Sequence, residues 1–382
     1  MAAAVLAGPA WAATSCDAAH LYSYSFATAS TQQLSYASSY AFSGTNGLSQ
    51  SQSFTTSFAT YGLSSSQVAG VQMPQVTNLI NDGNPTTANN LMIGMVLAAR
   101  TTSISANTNV VVTKFTFTVP VREIAIEMND VDFASNQYRD WVSVTGSDGT
   151  TTFNPTLTTP FGTNNTGGPT TSGSSTLQLG ASSTPVTVAV NEVIGTSTNP
   201  NTANGGTVNV SFAQPVTSVQ IRYGNSNQST GGTSTGQQAF GIQSLTWCAM
   251  PALVVAKTST PLATSGALSY NIPGADLVYS IALSNTGGSD LDLATLSVVD
   301  TMPGATAFFN GAFSGTVASP FQTVTSGGAS ATPTVTYSTN GTTYTYIPAT
   351  GYDSAVKAFK VSGAGTIPPG GGVTLSFRAQ IR

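Results

Sequence analysis

Four carboxylates and one guanidinium fall within the fifteen residues "EMNDVDFASNQYRDW" (127–141), in a chain of which only 6% is charged. Asp130 and Asp132 stand in D-x-D spacing, with Glu127, Asn129 and Asp140 close by in sequence. Hard oxygen donors gathered at a strand end and its loop suit calcium, which takes six to eight oxygens and accepts irregular geometry. The segment is not an EF-hand loop, because the glycine at its sixth position and the glutamate at its twelfth are missing. Two other readings stand beside a structural calcium ion. In one the loop is simply solvated, with Arg139 paired to Asp132 or Asp140. In the other the acids bind a glycan together with an aromatic, Tyr138 or Trp141, whose ring stacks on a sugar.

Catalysis by these groups has little to build on. Glycoside hydrolysis needs two carboxylates roughly 5 to 9.5 Å apart. Glu123 and Glu127 share one face of a strand, but four strand steps set them about 13 Å apart. The single histidine, His20, lies near the start of the chain, and no histidine-rich metal set occurs. The expectation is a protein that is not an enzyme, with a carboxylate hydrolase as the least favoured alternative.

The elements that must carry the acidic segment are strands. In "KFTFTV" the residues Phe115, Phe117 and Val119 alternate with Thr116 and Thr118, the period of a half-buried strand. "YSYSF", "WVSVTG", "TVNVSF" and "SVQIRY" repeat the pattern, separated by Gly, Asn and Pro clusters. Only "QVTNLINDG" offers a short helix. Loop-rich Thr, Asn, Gly and Ser tracts fill much of 154–209 and read as surface loops. An internal repeat aligns "FTVPVREIAIEM" (117–128) with "FAQPVTSVQIRY" (212–223), each copy read as a strand, a proline turn and a second strand. Acids follow only the first copy, so they are not needed to make the fold.

The remaining totals narrow the class. Ten Lys plus Arg against fourteen Asp plus Glu, with no basic run, exclude the usual footprint of nucleic-acid binding. The opening "MAAAVLAGPAWAATSC" reads as a secretory signal over 1–13, with Ala10 and Ala12 in A-x-A arrangement, although it lacks a basic start. No later run reaches the length of an apolar transmembrane span. Two cysteines, Cys16 and Cys248, suit a disulfide in an exported chain and mark the ends of a first domain over 14–250. Acylation of Cys16 as a lipoprotein is the competing use of that thiol.

After Pro251 the strands lengthen and space evenly: "ALVVAKTST", "ADLVYSIALSNTG", "LATLSVVDTMP", "TPTVTYS", "TTYTYIP", "VKAFKVSG" and "VTLSFRAQIR". Seven strands over 252–382 fit an immunoglobulin-like sandwich. Pro273, Gly274, Tyr279, Asn285, Gly287, Asp300 and Pro303 stand in an order that resembles the Ig-like conserved repeat called domain of unknown function 11, found in bacterial surface proteins. The resemblance implies an extracellular spacer module with no activity. Asn285 and Gly287 suit a turn with positive φ, and Asp300 an Asx turn.

The expected fold is all-β: a larger jelly-roll-like N-terminal sandwich closed by Cys16–Cys248, then an Ig-like C-terminal sandwich. The expected role is a secreted or cell-surface structural or adhesive protein, its first domain contacting a glycan or another surface protein and its second acting as spacer. A calcium-dependent glycan-binding module is the alternative.

Overall fold

The fold is that of a computed structural model, which describes residues 16, 18–81, 83, 87–162, 164–169, 174–177, 186–227, 235–262 and 272–382. The leader read over 1–13 lies outside the described residues, as do parts of the Thr, Asn and Gly tracts. The chain is all-β, and no helix among the described residues exceeds three residues. It divides into two compact units, Cys16–Ala249 and Met250–Arg382.

The first unit uses ten principal strands: β1 (Leu21–Ser25), β2 (Ser39–Thr45), β3 (Ser51–Tyr61), β4 (Asn90–Leu97), β5 (Val110–Asn129), β6 (Tyr138–Ser147), β7 (Glu192–Gly195), β8 (Val208–Ser211), β9 (Val216–Asn225) and β10 (Gln238–Ala249). β5 is twenty residues long, far beyond a usual strand, and it serves two sheets. Its first half lies between β3 and β9, with Val112 opposite Ala59 and Arg222. Its second half lies between β8 and β10, with Ile126 opposite Val210 and Leu245. The strand turns the corner where its register slips, between Thr116 and Val121 against β9 and between Arg122 and Ala125 against β10. Pro120, which has no ladder donor, and Glu123 at φ +51 occupy that corner. One layer then runs β2-β3-β5-β9-β6-β7, and the other places β10 between β5, β4 and β1.

The alternation read in β5 holds: Phe115, Phe117, Ile124, Ile126 and Met128 are buried, while Lys114, Thr116 and Thr118 are exposed. Trp247 is fully buried against Phe54 and Phe117, and its indole donates to Gln52. The two repeat copies meet directly. Val121 faces its counterpart Val216 across an antiparallel pair, so the copies are related by a local pseudo-twofold. They differ in form, for the first copy stays within one strand through Pro120, whereas the second starts after β8 has ended and enters β9 only at Val216, beyond Pro215.

Cys16 and Cys248 form the disulfide, with Cα atoms 6.0 Å apart and 232 residues between them in sequence. The bond commits the sulfur that acylation would need. "QVTNLINDG" forms no helix: Gln75–Thr77 pairs with β4, Val76 enters the core, and the Asn81 side chain caps a turn at Gly83. β-branching at Val76 and a turn-forming asparagine outweigh helical spacing there.

The second unit stacks two sheets. One consists of β11 (Leu253–Pro261), β12 (Asp276–Asn285) and β18 (Gly372–Ile381), extended by β14 (Thr306–Asn310) and β15 (Phe321–Ser326). The other is β13 (Val298–Thr301), β17 (Ala358–Ala364) and β16 (Thr332–Ser338). Tyr279, Phe308, Phe321, Phe359 and Phe377 fill the space between them. "TTYTYIP" is not a strand, because Asn340 bonds the amides of Thr342 and Thr343 and folds the segment into a turn, with only Tyr346 bridging to Tyr337.

Asn285 has another role than positive φ. Its side chain accepts from the amides of Ala252 and Gly287 and donates to the carbonyls of Ser289 and Ile367. Gly287 is small because a Cβ would strike the Met250 carbonyl, and its φ is not positive. Asp300 lies within β13, and its carboxylate goes to Lys257 across the sandwich.

Candidate functional site

The end of β5, a tight hairpin and the start of β6 bring three of the four acids together. After Asn129 the chain turns through Asp130 at φ +65, drives Val131 into the core, and pairs Phe133 and Ala134 with Arg139 and Tyr138. Asn136, at φ +61, supplies the left-handed residue of the hairpin. Asp130, Asp132 and Asp140 end up 3%, 2% and 0% exposed, which settles that this is not a solvated loop.

Most of their hydrogen bonds are local, although Oδ1 of Asp132 is buried without a partner. Asp140 accepts from the Tyr223 hydroxyl at 2.6 Å and from the Asp132 amide at 3.1 Å, while its own amide donates back to the Asp132 carbonyl. Asp132 accepts from the Asn199 amide at 2.7 Å and from the Tyr138 hydroxyl. Asp130 accepts from the Asn199 side chain at 2.9 Å. The segment 195–206 closes over them. Val131 and Phe133 donate to Gly206 and Ser197, and a Cβ at Gly206 would stand 2.8 Å from the Asp130 Cα. At Gly195 a Cβ would collide with the Asp132 carbonyl. Both glycines are therefore required by close backbone approach.

Arg139 does not neutralise the acids. Its guanidinium, 2% exposed, donates to the Gly195 carbonyl and lies 4.0 Å over the Phe133 ring. Burial, and then the charge of Arg100, lower its pKa to about 10. With no cation among them, the carboxyls are harder to ionise. Burial raises Asp130 to about 7, with Asp132 adding to the rise and Asn199 opposing it. Burial likewise raises Asp132 to about 6 and Asp140 well above the carboxylate range. Near neutral pH the cluster therefore holds protons.

The other candidates fall elsewhere. Glu127 sits within β5 opposite Asn209 and Ser244 and is not part of the cluster. Tyr138 is half-buried, its hydroxyl engaged by Asp132. Trp141 is 5% exposed, packs with Ile104, Val110 and Val112, and donates to Glu192, so it presents no stacking face to a sugar. Among the described residues, no group of three or more His, Cys, Asp or Glu side chains is disposed to hold a metal ion. The carboxylates are engaged by amide and hydroxyl donors, with Asn199 serving both Asp130 and Asp132.

Asn199 and Tyr223 were not legible as partners. The doubled glycine of "NGGT" hints at close packing, and Tyr223 takes the place of Met128 in the repeat, but neither signal points to the acids. Compared with known proteins, the chain matches no family model and no curated protein at a significant level.

Proposed function

We propose that this chain is an exported structural and adhesive protein in which the first unit contacts a partner and the second serves as an Ig-like spacer. The observation that carries the reading is the outward face of the layer formed by β3, β5, β9 and β6. Two shallow grooves of about 300 and 350 Å³ adjoin there and share Lys114 and Gln220. Thr116, Thr145, Ser147 and Thr217 line one, and Phe58 and Tyr61 flank the other. Convergent hydroxyls, an amide, an ammonium and aromatic edges suit the hydroxyl groups of a glycan or a polar surface of another extracytoplasmic protein. The disulfide supports export, since such bonds persist in oxidising compartments. The resemblance of the Pro273–Pro303 motif to a surface-protein repeat supports the spacer role.

A calcium-ordered sugar site has weaker geometry, because the acids lie buried beneath the 195–206 segment. The test is a glycan and surface-protein array probed with the oxidised full chain and with a Lys114→Ala, Gln220→Ala double variant. We expect binding that the double variant weakens at least tenfold with melting temperature unchanged. Silence across the array, or a protein found in the cytoplasm with both thiols reduced, would sink the reading.

A further inference from the structure

We propose that Lys257 and Asp300 become joined by an amide cross-link that staples the two sheets of the Met250–Arg382 unit. Among the described residues β11 is the edge of its sheet, bonded only to β12, and it turns Lys257 inward on the same face as Leu253 and Val255. Asp300 points inward from β13 of the opposite sheet. Lys257 Nζ lies 2.7 Å from Asp300 Oδ1, with the two side chains 16% and 1% exposed. Oδ2 of Asp300 is buried without a hydrogen-bond partner. The Tyr279 ring, stacked on Phe377, covers Nζ at 4.9 Å.

These are the conditions for condensation. A buried ion pair recovers little of its desolvation cost unless further hydrogen bonds complete it, and here one carboxylate oxygen has none. A proton passed from the ammonium to the carboxylate within this contact leaves a neutral amine beside a neutral acid, and neutral groups cost less to bury than ions. The rise in the Asp300 pKa, caused first by burial and opposed by Lys257 and by the Thr301 amide, acts in the same direction. The free amine is then a nucleophile held against its target. Nζ bonds to Cγ and the Cγ–Oδ2 bond breaks. Two of the three ammonium protons leave with that oxygen as water, and the third remains on the amide nitrogen. No oxidant, metal or cofactor is consumed. Among the described residues Lys257 is the charged group that acts on Asp300, and the proposed proton transfer runs within the pair. The link closes a 43-residue separation around β12 and fixes an edge strand that would otherwise peel from one neighbour.

The proposal is independent of what the first unit binds. The full chain, purified and incubated for days at neutral pH, is reduced, digested with trypsin and sequenced by tandem mass spectrometry. We expect a branched peptide joining Lys257 to Asp300, lighter than its linear parts by one water, and no cleavage after Lys257. Lys257→Arg and Asp300→Ala should give linear peptides only. Because the measurement is made on denatured material, it does not depend on the variants folding. Recovery of the wild-type peptides as linear species alone overturns the proposal and leaves an ion pair.

Discussion

At Asp130 the sign of the pH dependence follows from the direction of the shift. An acid whose folded pKa is raised binds its proton more tightly in the native state, so stability is fully present below the ordinary carboxylate pKa and is lost as pH climbs through the folded value. With Asp130 at about 7 and Asp132 at about 6, the loss develops between roughly pH 4 and 8. A penalty of a few kcal/mol would lower the melting temperature of the first unit by roughly 5–10 °C between pH 5 and pH 8. Calorimetry checks this, and Asp130→Asn, which mimics the protonated acid, should flatten the profile. Calcium added to EDTA-treated protein at pH 8 should leave the profile unchanged. A calcium-dependent rise would mean that a cation, not protons, balances the cluster.

Elements in this chain are fixed by what crosses between them. The 195–206 segment holds its place because two glycines let backbone approach backbone over the acids. Gly206→Ala should cost about 1–3 kcal/mol, since a Cβ there meets main chain that cannot rotate away. Thermal melts should show the loss confined to the Cys16–Ala249 unit. In the second unit Asn285 joins the start of β11, the end of β12 and the segment before β18 through four side-chain hydrogen bonds. Asn285→Ala leaves buried backbone groups unsatisfied and should destabilise that unit by about 2–4 kcal/mol. An unchanged urea midpoint would refute the assignment.

For the molecule as a whole, two cores and one disulfide predict separable unfolding. Closing 232 residues of chain is worth about 5 kcal/mol in the chain-entropy model. At about 2–4 °C per kcal/mol for a unit of this size, reduction should lower one calorimetric transition by roughly 10–20 °C. The transition of the Met250–Arg382 unit, which contains neither cysteine, should not move. A single transition shifting as one would show that the two units unfold together.

The all-β class, the inward faces of strands such as β5 and the partnership of the only two cysteines were legible in the amino-acid sequence. Period-two alternation and residue chemistry are local properties, and they survive whatever the chain packs against. Even the gathering of acids after the first repeat copy could be read as deliberate. Their state could not, because it depends on distant contributions: Asn199 and Tyr223 arrive through strand pairing, and Gly206 brings a lid that removes water. The same applies to Arg139, expected beside an acid and found on Phe133, and to Asp300, expected in a turn and found against Lys257. Spacing along a chain sets which groups can be neighbours, but burial decides whether a carboxylate carries a charge or a proton, and burial belongs to the tertiary structure.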